Sequence, residues 1–466
     1  MSHNLQPVAA PRTPAARRWL GAILVLSVLL RIGVAIYLGD DISDIRGGTH
    51  DQISYDALAQ RVAAGHGFSF GADWWPGVAA NQPTAFWSYL YTLCLAGVYT
   101  LFGHSILAAR LIQATLVGLS MPWLTWRIGR RIFGVRPALI AAAISAVYLY
   151  FITYAASLMT EALYIVGILW TIDASMRLAE ALDDARSSVG WRLRLGLELG
   201  LAMGLTLLLR QVIGVFLVAL AGWFFWLAWR RGWLRRALGP LAVAALLMGL
   251  LLAPFIVRNY RLFGVVGMPN TNVGINFFWA NHPIYGTQFE AVLSPEHGVS
   301  YQELIPPELR GLNDALLDRA LLRRGVQFVL DDPGRYLLLC LSRIPIYFQF
   351  WPTPRSSLLS NVSRLLSFGL FLPFMLYGLI LAIRDMRPAG RLHRAAPTDR
   401  PDLRAAFLGL TLLFMAIYAA VHLASWANVR YRLPVDAAWL LFAGYGMDDL
   451  VRRVRDRSGR LSLFGS

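Results

Sequence analysis

Apolar runs of about 20 residues recur along almost the whole chain, and a run of that length is what a helix needs to cross a bilayer. The first is WLGAILVLSVLLRIGVAIYL, Trp19–Leu38. In lipid, the backbone must satisfy its own hydrogen bonds, so such runs can only be helices. Composition agrees: 57% of the 466 residues are hydrophobic and 15% are charged, against about 25% charged in a soluble domain. The expected fold is an all-α polytopic membrane protein.

The net charge of +16 comes from 43 basic residues, all of them Arg. These Arg residues mostly flank apolar runs, where positive-inside bias accounts for them, so nucleic-acid binding is not expected. Cys94 and Cys340 are the only cysteines, each within an apolar stretch, and no disulfide framework is indicated. The polar, basic start reads as a signal-anchor with a cytoplasmic N-terminus.

Arg17 and Arg18 hold the start of the first span inside, so Gly39 emerges on the outer side. If AFWSYLYTLCLAGVYTLF (85–102) crossed next, the following run would export Arg127, Arg130, Arg131 and Arg136. An interfacial position for 85–102, suited to its aromatic residues, keeps that cluster inside. The same reasoning places Tyr336–Trp351 in the interface. The count becomes about ten spanning helices plus two interfacial ones. The expected organisation is a cytoplasmic tail 1–18, an N-terminal membrane domain 19–256 containing outer loop 39–84, a large outer loop 257–335, C-terminal helices 336–450 and a basic cytoplasmic tail 451–466.

This threading gathers one set of charges on the outer side. Asp51 lies in GGTHDQISYDALAQ, Glu161 in SLMTEALYI, and Arg210 at the next outer turn; Arg258 and Arg261 lie in PFIVRNYRLFG, Arg430 and Arg432 in SWANVRYRLP. Asp51 opens a helix, so it reads either as an N-cap or as a general base, and the helix N-terminus that stabilises its charge weakens it as a base. Glu161 at the lip of an apolar helix either pairs with an Arg or serves the chemistry. Arg just outside a span runs against charge bias. Two such pairs suggest a phosphate site, because guanidinium grips phosphate bidentately; ordinary lipid headgroups are the bland alternative. Arg31, mid-span, pairs with Glu161 or faces a cavity.

The outer loop contains GMPNTNVGINFFWANHPIYGTQFE, whose amides and rings suit polyols or merely make a loop, and then an amphipathic helix with Leu312, Leu316, Ala320 and Leu321 on its apolar face. His50 and His282 lack a second ligand at metal-binding spacing, so a divalent metal stays open without support. No phosphate-binding glycine loop or dinucleotide fingerprint occurs.

In order and spacing, HDQISYDALAQRVAAGHGF, QPTAFWSYLYTLCLAGVYTLFGHSILAARLIQA, MTEALY, PFIVRNYRLFG, DDPGRYLLL and RYRLP resemble the GT-C superfamily of membrane glycosyltransferases. The resemblance is to the branch of protein O-mannosyltransferases and lipid A aminoarabinose transferases, including bacterial members of unknown substrate. It implies a transferase (hexosyl or pentosyl) that moves a sugar from a polyprenyl-phosphate donor to an acceptor hydroxyl, on a glycan, lipid or protein, at the extracytoplasmic face of the cytoplasmic membrane. It implies catalytic roles for Asp51 and Glu161, with His50, Tyr55, Arg210, Arg258, Arg261, Arg430 and Arg432 binding substrate. No cofactor is implied with certainty. One departure is Gln52, where the family commonly has Glu after the first-loop Asp. Two other readings stand beside this one: a flippase or carrier for lipid-linked glycans, and an O-antigen-type ligase or polymerase.

Overall fold

A computed structural model describes residues 14–42, 51–75, 77–267, 269–354, 356–386 and 401–461. The described residues are 77% helical with no strands among them, as an apolar chain that must satisfy its backbone inside lipid requires. The helices are α1 (Pro14–Leu38), α2 (Asp51–Ala63), α3 (Tyr89–Phe102), α4 (Ile106–Ile132), α5 (Val135–Val147), α6 (Leu149–Ala156), α7 (Glu161–Asp183), α8 (Val189–Leu209), α9 (Ile213–Arg231) and α10 (Leu234–Phe263). In the second half come α11 (Val273–Ala280), α12 (Asp314–Asp331), α13 (Pro333–Tyr347), α14 (Leu358–Arg364), α15 (Leu370–Asp385), α16 (Pro401–Ala424) and α17 (Val429–Leu461), with a π-helical turn, Leu365–Gly369, joining α14 to α15.

Among the described residues seven helices are long and apolar enough to cross a membrane, or eight if the bent pair α5–α6 counts as one span, against the ten expected. The shortfall has a chemical cause. Of the expected spans, Leu195–Leu209 and Leu433–Leu450 lie on α8 and α17. The first half of α8 carries Arg192, Arg194 and Glu198, and the expected span on α17 carries Asp436, Asp448 and Asp449, which interrupt an apolar run. The segments expected in the interface form α3 and α13, of 14 and 15 residues, short of the crossing length.

Helices α8 and α10 meet backbone to backbone. A Cβ on Gly196 would strike the Pro240 carbonyl, and one on Gly200 the Ala244 carbonyl. Glycines one turn apart on α8 are therefore what permits the contact.

Helix α5 meets α6 at a 52° bend, which takes N–H donors away from the carbonyls of the last turn of α5. Arg31 of α1 supplies them. Its Nη2 donates to the Ser145 carbonyl at 3.1 Å, and its Nη1 donates to the Ala146 carbonyl at 3.0 Å and to Ser27 Oγ at 2.6 Å. This corrects the expectation that Arg31 pairs with Glu161: it is fully buried and holds a helix break.

Part of the exported-or-retained Arg cluster turns inward. Arg127, Arg131 and Arg177 surround the fully buried Asp173 at 3.0, 2.7 and 3.3 Å, which ties α4 to α7. Arg136 lies 3.4 Å from Asp448, so α5 begins beside the far end of α17. Glu161 is twelve residues before Asp173 on α7, roughly 18 Å along the axis. The two charged clusters therefore lie well apart along α7.

The buried stripe of α12 is Ala315, Leu317, Leu321 and Gly325. Of the four apolar positions expected there only Leu321 is fully buried, and Leu316 is exposed. Asp332 closes α12 and caps α13, accepting from Arg335 N at 2.9 Å.

Candidate active site

Helix α2 begins at Asp51 and is fixed along its length. The Tyr55 ring meets Trp87 and Tyr91 edge-on, with centroids 5.3 and 4.9 Å away. Asp56 accepts from Tyr99 Oη at 2.6 Å and lies 2.8 Å from His104 Nε2. Trp74 Nε1 donates to Ser54 Oγ at 2.9 Å. The helix is thereby held against α3, the α3–α4 turn and the first outer loop, which sets where its N-terminus points.

Glu161 begins α7, after the turn 157–160. Gln113 of α4 donates to the Ala155 and Ser157 carbonyls at 3.0 and 2.6 Å. Gln52 accepts from Leu158 N at 3.0 Å. Gln52 is thus the direct link between the helix of Asp51 and the turn that delivers Glu161. Its amide can accept that N–H without adding a third negative charge. Residue chemistry alone did not single out either glutamine, because their partners are backbone groups far away in sequence.

Arg210 is the C-cap of α8. The next residue, Gln211, donates to Asn272 Oδ1 at 2.8 Å, and Asn272 Nδ2 donates to the Phe86 carbonyl at 3.0 Å. Asn270 donates to the Trp87 carbonyl at 2.6 Å. The Asn-rich segment read as a candidate polyol surface therefore spends these amides on pinning the outer loops around Arg210. Arg430 enters on the first turn of α17, where Asn428 Oδ1 accepts from its backbone N at 3.2 Å.

These elements converge on one ionic cluster. Arg430 Nη1 lies 2.5 Å from Asp51 Oδ2 and 3.9 Å from Glu161 Oε1, and Arg210 Nη2 lies 3.0 Å from Glu161 Oε1. Arg430 Nη2 donates to Tyr431 Oη at 3.0 Å. Arg210 faces the Tyr431 and Tyr164 rings at 5.3 and 5.9 Å. Two carboxylates and two guanidiniums give a formal charge of zero. Burial lowers the Arg210 pKa, but the Glu161 carboxylate together with Tyr431 and Tyr418 raises it, for a net shift above the ordinary value. Burial, followed by the Asp51 charge, raises the Tyr55 phenol above its usual range, so it stays neutral. Asp51 is the more open carboxylate, with its side chain 22% exposed against 1% for Glu161.

The other expected site residues lie elsewhere. Arg258 donates to Tyr89 Oη at 2.5 Å and to the Thr84 carbonyl at 3.3 Å, with its guanidinium over the Phe68 and Tyr89 rings. It braces the first outer loop against α10 and touches none of the four cluster residues. Arg261 is exposed on the last turn of α10. Arg432 corrects the pairing with Arg430. It is fully buried, donates to Asp436 Oδ1 at 2.8 Å and to the Tyr347 carbonyl at 2.9 Å, and sits over the Phe368 ring. Two residues along a helix turn a side chain by about 200°, so adjacent Arg codes at i and i+2 face apart. His50 lies outside the described residues.

Among the described residues no three His, Cys, Asp or Glu side chains form a metal-binding group. A cleft of about 370 Å³ between Gly77, Ser300, Glu303 and Arg310 shares no lining residue with the cluster.

Comparison with solved structures places this helical arrangement. The chain superposes on the oligosaccharyltransferase AglB from Archaeoglobus fulgidus, in complex with an inhibitory peptide and a dolichol-phosphate, with a TM-score of 0.54 and 15% identity, over 97% of this chain and 53% of that one. The apo oligosaccharyltransferase of the same organism gives 0.55 and 15%, over 96% and 52%. The chain shares the membrane fold of these oligosaccharyltransferases. It spans about half their length. Residues 88–257, a little over a third of the chain, match the family model for dolichyl-phosphate-mannose-protein mannosyltransferase. ArnT from Cupriavidus metallidurans bound to undecaprenyl phosphate gives a TM-score of 0.41 at 15% identity, over 92% of this chain and 78% of that one. No curated protein matches the sequence. The family-model match contains Glu161 and Arg210, whereas Asp51 and Arg430 lie outside it.

Proposed function

We propose that this chain is a GT-C glycosyltransferase that transfers a sugar from a polyprenyl-phosphate donor to an acceptor hydroxyl at the extracytoplasmic face of the cytoplasmic membrane. The observation that carries the reading is the convergence of Asp51, Glu161, Arg210 and Arg430 from four separate helices into one partly open cluster.

The acceptor oxygen attacks the anomeric carbon, and Asp51 takes the hydroxyl proton as general base. The bond from that carbon to the phosphate oxygen breaks, and its electron pair leaves with the polyprenyl phosphate. Arg430, and Arg210 behind it, offset the charge that builds on the leaving phosphate. Glu161 is too buried to meet an acceptor and instead holds the two guanidiniums in place. The lipid carrier already activates the sugar, so no nucleotide site is called for.

A carrier would favour polar groups deep in several spans or paired half-helices at the midplane. The buried mid-span Arg31 is committed to backbone carbonyls, which favours the transferase. The test uses the purified protein in nanodiscs, supplied with the lipid-linked sugars extracted from its own cells and with delipidated envelope acceptors. A new glycosidic bond formed together with free polyprenyl phosphate supports the reading. Sugar movement across liposomes without any new bond sinks it, and release of polyprenyl pyrophosphate in place of the monophosphate favours the ligase or polymerase.

A further inference from the structure

Both terminal nitrogens of the proposed phosphate-binding guanidinium are already engaged. Arg430 Nη1 is held by Asp51 Oδ2 at 2.5 Å, and Nη2 by Tyr431 Oη at 3.0 Å. Its Nε has no hydrogen-bond partner but is buried, so a ligand arriving from solvent does not reach it. A bidentate grip on phosphate needs two donors side by side. The Asp51 oxygen that would receive the acceptor proton is, in turn, occupied by Arg430.

Arg210 cannot stand in. It is committed to Glu161 at 3.0 Å, and drawing it away would leave a 1%-exposed carboxylate without its nearest cation. Asp51 is different, because its exposure lets water replace the guanidinium. Of the two ion pairs, the Asp51–Arg430 pair is therefore the one that can open at low cost.

From this we infer that the donor phosphate and the Asp51 carboxylate compete for Arg430, so that donor binding itself releases the base. This rests on the proposed function and adds an order to it. The phosphate takes Nη1, Asp51 swings free to accept a hydroxyl, and only then does the acceptor bind productively. An acceptor arriving first finds Asp51 engaged. The same exchange protects the donor site, because a neutral cluster attracts stray bilayer phosphates weakly.

The test is a double-mutant cycle read as undecaprenyl phosphate binding in phosphatidylcholine nanodiscs, with wild type, D51N, R430Q and D51N/R430Q. The exchange predicts that D51N binds more tightly by on the order of tenfold, the scale of one charge-assisted hydrogen bond. It also predicts that D51N brings no gain in the R430Q background, where there is nothing to compete for. Gain in both backgrounds means simple repulsion between Asp51 and phosphate and overturns the exchange. Equal binding by D51N and wild type overturns it as well. If wild type does not bind undecaprenyl phosphate, or R430Q binds as well as wild type, the phosphate site itself fails and the proposed function with it. Doping the nanodiscs with phosphatidylglycerol separates the two phosphate sources. The exchange predicts little competition from this lipid with wild type and more with D51N, and equal competition with both counts against it. R430K, which keeps the charge without the planar fork, replaces R430Q if the latter does not fold.

Discussion

Arg430 Nη1 and Asp51 Oδ2 stand 2.5 Å apart although 379 positions separate them in the chain. The contact joins the start of α2 to the start of α17, and Glu161 and Arg210 complete it from between. Four helix ends must be correctly placed at once for the cluster to exist, so its parts should respond differently when they are changed one at a time.

Arg210→Gln leaves Glu161 buried without its nearest cation. Breaking one partner of a buried pair costs about 3–5 kcal/mol, while neutralising both costs far less. Thermal unfolding in detergent should show R210Q and E161Q each strongly destabilised, and the double variant less so than the sum. Additive losses would contradict the pairing.

Gln52 should separate by chemistry. Q52E keeps an oxygen that can accept from Leu158 N, whereas Q52L strands that buried donor at a cost of about 1–3 kcal/mol. Transfer assays should show kcat falling at least tenfold for Q52L, with the donor KM little changed, and better retention in Q52E. Equal loss in both would contradict the importance of the Leu158 bond at this position.

Arg430 and Arg432 should behave as opposites. R432Q strands Asp436, which is fully buried, and should lower yield and thermal stability by a few kcal/mol. R430Q faces a more open carboxylate and should keep the fold while losing transfer. Normal stability with lost transfer in R432Q would contradict the structural role of Arg432.

Two groups of the outer region should give opposite pH slopes in stability. Burial, partly offset by the bond from Ile275 N, pushes Asp318 up from 3.8 to about 6. The folded state then binds the extra proton between those values, so its contribution falls as pH rises through that window. Burial, followed by the Arg335 charge, pushes His282 down from 6.5 to about 4. It stays neutral in the fold while the unfolded chain protonates, so its contribution is present above 6.5 and is lost as pH falls towards 4. Unfolding scans from pH 4 to 7 should show D318N steepening the rise of stability with pH and H282N flattening it. H282N keeps an oxygen to cap Ile284 N, as His282 Nδ1 does at 3.2 Å.

Much of this was legible in the chain because its signals are local. Apolar length pointed to seven or eight of the ten expected spans, and charge bias put Asp51, Glu161, Arg210 and Arg430 at one end before any contact was known. What stayed hidden depends on facing and on backbone partners. Arg432 looked like the twin of Arg430 because two letters in sequence do not display a 200° turn. Arg31 looked like a cavity residue because the carbonyls it satisfies exist only at the α5–α6 bend. Gln52 looked like a missing carboxylate because its partner, Leu158 N, carries no side-chain signature. Arg258 shares the sequence context of a phosphate ligand, yet Tyr89 and Thr84 hold it against the outer loop.

The central claim is that Asp51 acts on a lipid-linked sugar from this cluster. The most direct measurement is the envelope glycan and lipid-linked sugar profile of cells lacking the protein, complemented with wild type or with D51N at matched membrane levels. The account predicts that the null strain accumulates a polyprenyl-phosphate sugar and lacks one glycan modification, that wild type reverses both changes, and that D51N reverses neither. Restoration of the glycan by D51N would contradict it.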